Sequence, residues 1–315
     1  MILTVTLNTA LDLTYGVDAL VPHSSHRVDA ASERPGGKGL NVARVLSALG
    51  HGTVATGFVG EGPTGALLRD LLAKAPAGPG GAPRDALVAV PGDTRRTLAV
   101  VDRSTGDTTQ FNEPGPHVGP RAWAELLRVY DELLTGAAAV ALCGSLPPGV
   151  HVGAYADLVR HARGAGVPVL LDTSGEPLRR GLAGRPDLVK PNADELVQLT
   201  GSREPLRAAR DARRRGAGGV VASLGPDGMV AVTPDGDWRA APPAAVRGNP
   251  TGAGDSAVAG LLSGLVEGLS WPDRLRRAVA LSTATVLAPA AGEFDPDAYA
   301  ELLPRIDVTP LAPAS

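Results

Sequence analysis

The sequence has little of the chemistry that marks a disulfide-bonded, metal-cluster or nucleic-acid-binding protein. Its only cysteine, Cys143, lies in the apolar run AAAVALCGSL, which excludes an internal disulfide framework and a cysteine-based metal cluster. The six histidines are scattered and show no metal-ligand spacing such as HExxH. A formal net charge of −3 offers no basic surface for nucleic acid, so no such partner is expected. We expect Cys143 to be a buried strand residue.

Long apolar segments and lysine are also scarce. No run of 18 apolar residues is present, and Met1 is not followed by a charged and then apolar leader. We therefore expect a cytosolic protein without a membrane partner. Among 30 basic residues the only lysines are Lys38, Lys74 and Lys190, and two of these occur in motifs that carry chemistry.

What the chain does contain is a regular alternation of apolar strands and amphipathic helices. A length of 315 residues, 43% of them hydrophobic, allows a large core, and no internal repeat or linker divides it. The alternation predicts one α/β domain over 1–315, with a mainly parallel sheet and helices on both faces. We predict core strands at 2–8, 53–60, 138–144, 167–172, 187–191 and 219–225 and helices at 35–50, 64–74, 119–135, 153–164, 176–183, 192–200, 205–216, 253–268, 271–288 and 296–304.

Two excursions interrupt this alternation. The first holds short, half-polar stretches at 13–20 and 25–32, and the second holds strands at 86–90, 95–102 and 108–114. Two such excursions from one βα core would pair most simply with each other. We predict a small β-sheet lid formed by about 12–34 and 93–114.

The stretch RGNPTGAGDS (247–256) precedes a run of small apolar residues with helical pattern. Gly252, Ala253 and Gly254 would then offer free backbone N–H groups at the positive end of a helix dipole, which suits a phosphate. Asp255 beside that site fits a base that accepts the proton of an attacking hydroxyl. A glycine-rich helix start with a capping aspartate explains this motif equally well.

Two further turns place polar groups near such a site. PGGKGLN (35–41) presents Lys38 and Asn41 at a helix start; its spacing is not that of a Walker A loop, and a plain tight turn also accounts for it. In KPNADEL (190–196), Asn192 and Glu195 share a helix face and could serve Mg²⁺ and its waters. The competing interpretation is a capping box with Asn192 as the cap.

The remaining candidates are weaker. SLGPDG (223–228) is a strand end with a glycine turn, which could hold nucleotide phosphates or simply close a hairpin. Arg27, Arg95 and Arg96 lie in the lid excursions, where a cation could meet an anionic substrate.

Together these stretches resemble the ribokinase-like sugar kinases of the phosphofructokinase B type. Within that family the chain is similar to the hexose-phosphate branch of 1-phosphofructokinase and tagatose-6-phosphate kinase, to which NTALD, GGKGLN and NEPGP point. The resemblance spans residues 2 to about 290. The matching segments are TLNTALDLTY (6–15), PGGKGLNVARVL (35–46), TR (94–95), FNEPGP (111–116), CGSLPPGV (143–150), LDTSGEPL (171–178), KPNADEL (190–196), SLGPDG (223–228) and NPTGAGDSAVAG (249–260).

The resemblance implies a role for each motif residue. Asp255 would be the catalytic base, and the backbone N–H groups of Gly252, Ala253 and Gly254 would form the anion hole. Asn192 and Glu195 would help to position Mg²⁺ and the ATP phosphates. The nucleotide turn would contain Ser223, Gly225 and Gly228.

The same resemblance implies where the acceptor binds. Asp12 would take sugar hydroxyls, next to Gly37, Lys38 and Asn41. Lys38 and Arg95, and also Arg27, are the candidates for a phosphate already on the substrate. Closure of the lid would exclude water and limit ATP hydrolysis.

We therefore predict an ATP- and Mg²⁺-dependent kinase that phosphorylates fructose 1-phosphate at its 6-hydroxyl. The alternatives are tagatose 6-phosphate or fructose 6-phosphate as the acceptor and, from another class, a non-catalytic sugar-phosphate sensor on the same scaffold. Open strand edges in the lid make a lid-to-lid homodimer a further expectation.

Overall fold

The computed structural model describes residues 1–28, 30–288 and 292–312. The strands among these residues are β1 (Ile2–Thr6), β2 (Ala10–Val17), β3 (Ala30–Gly36), β4 (Thr53–Gly60), β5 (Arg84–Val90), β6 (Arg95–Asp102), β7 (Thr108–Asn112), β8 (Ala139–Cys143), β9 (Val169–Asp172), β10 (Leu188–Val189), β11 (Gly219–Ser223), β12 (Met229–Thr233), β13 (Gly236–Ala240) and β14 (Val308–Leu311). The α-helices are α1 (Lys38–Ala48), α2 (Pro63–Ala73), α3 (Pro120–Leu134), α4 (Ala154–Gly164), α5 (Gly175–Gly181), α6 (Ala193–Thr200), α7 (Pro205–Arg214), α8 (Ala253–Val266), α9 (Trp271–Val286) and α10 (Pro296–Leu302). Short 3₁₀ turns lie at Leu182–Gly184, Gly225–Asp227 and Leu303–Arg305.

One large sheet carries the core of the molecule. Its strand order is β14-β13-β12-β11-β10-β9-β8-β1-β4-β5, and the seven strands from β11 to β5 are parallel. The three strands β12, β13 and β14 continue it in antiparallel pairs. The predicted α/β fold with a mainly parallel sheet is thus confirmed.

The central strands are buried on both faces because their alternate side chains enter two different cores. In β8, Val140 and Leu142 pack with residues of α3 and α4, whereas Ala139, Ala141 and Cys143 pack with α1, α8 and α9. Successive side chains of a strand point to opposite faces, so helices cover both sides of the sheet. Cys143 is a buried strand residue, as its apolar surroundings predict.

Helix α8 lies unusually close to its neighbour because its residues are small. A Cβ at Gly260 would lie 2.9 Å from the Cα of Ala278 in α9, so a larger residue there would push the helices apart. Most of α8 is buried, which fixes the position of its N-terminus. In the parts of the chain that the structure describes, every helix is too short or too polar to cross a membrane.

A second, four-stranded sheet of order β3-β2-β6-β7 forms the predicted lid. The two excursions join through the parallel pair β2–β6, in which Asp12 stands opposite Thr97. Asp12 therefore lies within a lid strand, at the start of the predicted lid range.

The strand that we grouped with the second excursion, 86–90, belongs to the core. As β5 it pairs in parallel with β4 at the edge of the large sheet. Its apolar residues are compatible with either sheet, but both faces of β5 are covered: Val90 packs in the cluster that contains α3, and Leu87 packs with Leu68 and Leu72 of α2.

Candidate active site

A large cleft opens between the lid and the carboxyl ends of the parallel core strands, the edge at which open α/β sheets bind ligands. Its volume is about 1630 Å³. Most of the residues predicted from the sequence line it, namely Asp12, Gly37, Lys38, Asn41, Arg95, Asn192, Glu195, Ser223, Gly252, Gly254 and Asp255. The fold therefore brings together motifs that are more than 200 residues apart in the chain.

Asp255 lies in the first turn of α8 and is only 6% exposed. Its Oδ2 accepts a hydrogen bond of 2.9 Å from Nδ2 of Asn41 on α1. Burial raises the pKa of Asp255 to about 6, although Lys38 acts in the opposite direction. The carboxylate is consequently ionised at neutral pH yet more basic than an ordinary aspartate, which suits a general base.

Two lysines flank one buried aspartate next to Asp255. Asp172, at the end of β9, is 1% exposed, and its two oxygens each lie 3.4 Å from an ammonium, that of Lys38 and that of Lys190. Burial alone would raise the pKa of Asp172, but the two lysines outweigh it and hold the pKa below its usual range. Asp172 in turn raises the pKa of Lys38. We call Lys38, Asp172, Lys190 and Asp255 the transfer cluster.

The N-terminus of α8 completes the surroundings of this cluster. Gly252 caps the helix with φ of 85°, a left-handed conformation that favours glycine. The N–H of Ala253 donates to the carbonyl of Pro250 at 3.1 Å, whereas those of Gly254 and Asp255 make no hydrogen bond to another described residue. A Cβ at Gly254 would lie 3.4 Å from Nζ of Lys190, so an ammonium stands at the positive end of the helix. Such an arrangement is favourable only when an anion binds between them.

Asp12 and Arg95, from the lid strands β2 and β6, form the other end of the cleft and are called the acceptor pair. Burial raises the pKa of Asp12 to about 6, and the Arg95 guanidinium opposes this shift. Arg95 is held by main-chain carbonyls, because its Nε donates to Asn8 at 3.2 Å and its Nη1 to Glu113 at 3.4 Å. The pair offers a carboxylate for hydroxyl groups and a guanidinium for an anion.

Strand alternation separates Arg95 from its neighbour Arg96. The Arg96 guanidinium donates to Oε1 of Glu113 through Nε at 3.2 Å and Nη2 at 2.9 Å. Arg95 and Glu113 line the cleft and Arg96 does not, so Arg95 is the arginine of the two that faces it.

Asn192 and Glu195 form the capping box that we considered as the alternative to a metal site. The Glu195 N–H donates to Oδ1 of Asn192, and the Asn192 N–H donates to Oε2 of Glu195, both at 2.8 Å. No cluster of three or more His, Cys, Asp or Glu side chains with the spacing of a metal site occurs among residues 1–28, 30–288 and 292–312. These residues alone do not make a complete protein cage for a metal.

The predicted nucleotide turn is also a well-formed hairpin turn. The N–H of Leu224 donates to the Gly228 carbonyl, and that of Gly228 to the Gly225 carbonyl, which closes the connection from β11 to β12. A side chain at Gly228 would overlap the carbonyl of Ala240. Ser223 lines the cleft, whereas Gly225, Gly228, Ala253 and the exposed Arg27 do not.

Asp172 and Lys190 lie in segments that resemble the family, but we predicted no role for either residue. The signal was present in part, since Asp172 ends the apolar run VPVLLD and Lys190 is one of three lysines in the chain. The sequence alone does not reveal that β9 and β10 are adjacent and parallel. This pairing brings the side chains of Asp172 and Lys190 together. Asn8, whose amide donates to the Pro114 carbonyl and to Ser145, was likewise placed only at a strand end.

Comparisons with known proteins agree with this geometry. The family model of the pfkB family carbohydrate kinases matches residues 5–298. The chain is 39% identical to a 1-phosphofructokinase of Rhodobacter capsulatus over 94% of this chain and 92% of that protein. It is similar to the structure of a possible 1-phosphofructokinase of Thermotoga maritima (29% identity, TM-score 0.89, covering 99% of this chain and 100% of that one). It is also similar to phosphofructokinase-2 of Escherichia coli in complex with fructose-6-phosphate (32% identity, TM-score 0.86, covering 96% and 98%).

The expected ribokinase-like fold is therefore confirmed, as is the predicted class of enzyme. A buried carboxylate beside lysines and an open helix N-terminus is an arrangement suited to the transfer of a phosphoryl group. Because the family model matches nearly its whole length, the chain is a member of the pfkB family of carbohydrate kinases, which are phosphotransferases.

Proposed function

We propose that the protein transfers the γ-phosphoryl group of ATP to the 6-hydroxyl of fructose 1-phosphate and forms fructose 1,6-bisphosphate. The observation that carries the reaction type is the buried Asp255 carboxylate beside two lysines and the N-terminus of α8. The acceptor is inferred from the 39% identity to a 1-phosphofructokinase and from Arg95 in the lid half of the cleft.

In this proposal the two ends of the cleft have different tasks. Asp255 accepts the proton of the acceptor hydroxyl, and the N–H groups at the start of α8 stabilise charge on the transferred group. Asp12 receives hydrogen bonds from sugar hydroxyls, and Arg95 binds the phosphate already on the sugar. We assign Lys38 to the transferred group, not to that phosphate, because its ammonium lies 3.4 Å from Asp172 in the transfer cluster.

Mg²⁺ would supply charge neutralisation on the ATP phosphates. It usually keeps several waters and binds through one or two carboxylates together with phosphates, so a complete protein cage is not needed. Glu195 uses Oε2 in the capping box, and no hydrogen bond from a described residue reaches its Oε1. That oxygen is available to a metal-bound water, so the capping box and a metal role of Asn192 and Glu195 are compatible.

The decisive experiment is an ADP-release assay with a panel of acceptors. Fructose 1-phosphate should give the highest kcat/KM, ahead of fructose 6-phosphate, tagatose 6-phosphate, ribose and adenosine. The Asp255→Asn variant serves as the control for contaminating kinases. If every acceptor fails although calorimetry detects binding of a sugar phosphate, the protein is a sensor on a kinase scaffold and not a kinase.

Fructose 6-phosphate is the alternative acceptor with a specific observation in its favour. The chain is similar over 96% of its length to phosphofructokinase-2 in complex with fructose-6-phosphate. A higher kcat/KM for fructose 6-phosphate than for fructose 1-phosphate in the panel would replace our first choice.

We further propose a homodimer that forms through the lid. The outer strands β3 and β7 pair with no further strand in the described ranges, and Phe111 on β7 is exposed. Light scattering after size exclusion should report a dimer, and Phe111→Lys should shift it to the monomer.

A further inference from the structure

Asn41 and the base Asp255 form a hydrogen-bonded pair deep in the cleft. Nδ2 of Asn41 lies 2.9 Å from Oδ2 of Asp255, and the two residues are 5% and 6% exposed. No hydrogen bond from another described residue reaches either carboxylate oxygen of Asp255. Within the described part of the chain, this one amide is therefore the donor that orients the carboxylate, and no donor reaches Oδ1.

The partner amide is itself held in place from two sides. Asn41 lies in the first turn of α1, where its backbone N–H donates to the Gly37 carbonyl at 3.1 Å. A Cβ at residue 292 would lie 2.9 Å from Oδ1 of Asn41, so glycine at that position leaves just enough room for the amide. Oδ1 of Asn41 accepts no hydrogen bond from a described residue, so its place in α1 and the close approach of Gly292 are what restrict the amide.

The charges around Asp255 show why a neutral donor matters. Lys38 and, more weakly, Lys190 attract the carboxylate, and Asp172 repels it. Without the amide, no hydrogen-bond donor among the described residues would fix the direction in which the carboxylate points, and its ionised form would lose a stabilising contact. An amide orients the carboxylate without adding a charge, as the third member of a catalytic triad orients its base.

We propose that Asn41 is a positioning residue that holds Oδ2 of Asp255 against α1 and presents Oδ1 to the acceptor hydroxyl. This inference rests on the proposed role of Asp255 as the base. It gives Asn41 a function in the transfer step in addition to the contact with the sugar that the family resemblance implies.

The test compares the pH profiles of the wild type and Asn41→Leu, which keeps the side-chain volume but loses the donor. At pH 8.5, where the base is ionised, kcat should fall roughly tenfold to a hundredfold, the usual effect of a lost hydrogen bond to a charged group. The acid limb of kcat should move to higher pH by about one unit, because the amide no longer stabilises the ionised carboxylate. The KM for ATP should change little.

Two companion variants separate positioning from folding. Asn8→Leu removes another buried amide that lines the same cleft but donates to Pro114 and Ser145, so its acid limb should stay at the wild-type pH. Asn41→Asp keeps the shape and puts two carboxylates together, so its acid limb should move further upward than that of Asn41→Leu.

A titration of the Asp255 carboxyl group requires no enzymatic turnover, so its result does not depend on which sugar phosphate is the acceptor. Carboxyl ¹³C resonances of aspartate are followed with pH, and the resonance of Asp255 is identified by its loss in Asp255→Asn. It should titrate near pH 6 in the wild type, and at higher pH in Asn41→Leu. If that titration and the acid limb stay unchanged while only the KM for the sugar phosphate rises, Asn41 is a sugar ligand and the inference is wrong. Full activity of Asp255→Asn would instead refute the proposed base.

Discussion

The transfer cluster and the acceptor pair occupy opposite ends of one cleft and are held in different ways. Asp172, Lys190 and Asp255 are nearly inaccessible and extend from core strands and from α8. Asp12 and Arg95 extend from a four-stranded sheet with two free edges, and they are only half-buried. The groups suited to the reaction are thus built into the buried core, whereas those suited to recognition of the acceptor lie on a smaller and more exposed sheet.

This difference predicts that changes in the core affect kcat and changes in the lid affect KM. A mutation acts on kcat when it removes an interaction made in the transition state, and on KM when it removes binding common to both states. The following predictions are arranged by the expected size of their effect.

The largest effect is expected for Asp255→Asn. Loss of a general base should lower kcat by roughly 10²- to 10⁴-fold, with KM values near those of the wild type. The melting temperature should be unchanged or higher, because a buried carboxylate with a raised pKa is replaced by a neutral amide. Steady-state kinetics and thermal unfolding measure both, and a kcat within tenfold of the wild type would contradict the role of the base.

The next largest effect is expected on stability, from a change of Asp172 between Lys38 and Lys190. Asp172→Asn leaves two ammonium groups without their carboxylate, which should lower the free energy of unfolding by about 3–5 kcal/mol. The control is Asp70→Asn, which breaks the exposed Lys74–Asp70 pair on α2 and should change it by less than about 1 kcal/mol. Urea unfolding curves of both variants provide the comparison; equal midpoints would mean that the cluster does not stabilise the core.

In the lid, neighbouring arginines provide a matched pair. Arg95→Ala should raise the KM for the sugar phosphate by roughly tenfold to a hundredfold, the effect of a lost charge-assisted hydrogen bond, without changing the KM for ATP. Arg96→Ala removes an exposed ion pair with Glu113 and a guanidinium that does not line the cleft, so both constants should stay near the wild type. If Arg96→Ala had the larger effect, Arg96 and not Arg95 would be the arginine that binds the phosphate of the substrate.

The smallest difference, about tenfold per pH unit, is expected between the pH profiles of kcat/KM and kcat. Asp255 and Asp12 both have a pKa raised to about 6 by burial, so each loses its charge at a higher pH than an ordinary aspartate. If both carboxylates must be ionised, kcat/KM should fall by about a hundredfold for each pH unit below pH 6. At saturating sugar only Asp255 still titrates, so kcat should fall by about tenfold for each pH unit. Equal slopes in the two profiles would show that only one carboxylate matters.

Much of the site was predictable because its motifs are local. The glycines before α8, the turn before α1 and the capping box at Asn192 each depend on residues within one turn of a helix. The strand 86–90 was assigned to the wrong sheet, since apolar residues alone do not reveal which edge a strand joins.

By itself, the sequence determined the alternation of strands and helices, the parallel sheet, and the residue types from which a phosphoryl-transfer site can be built. These follow from periodicity and turn chemistry, which act over a few residues. Only the tertiary structure decided that Asp172 lies between Lys38 and Lys190, that Asn41 reaches Asp255, and that Arg95 faces the cleft while Arg96 does not. Each of these depends on strand order, register or helix packing, which join distant parts of the chain and leave no local pattern.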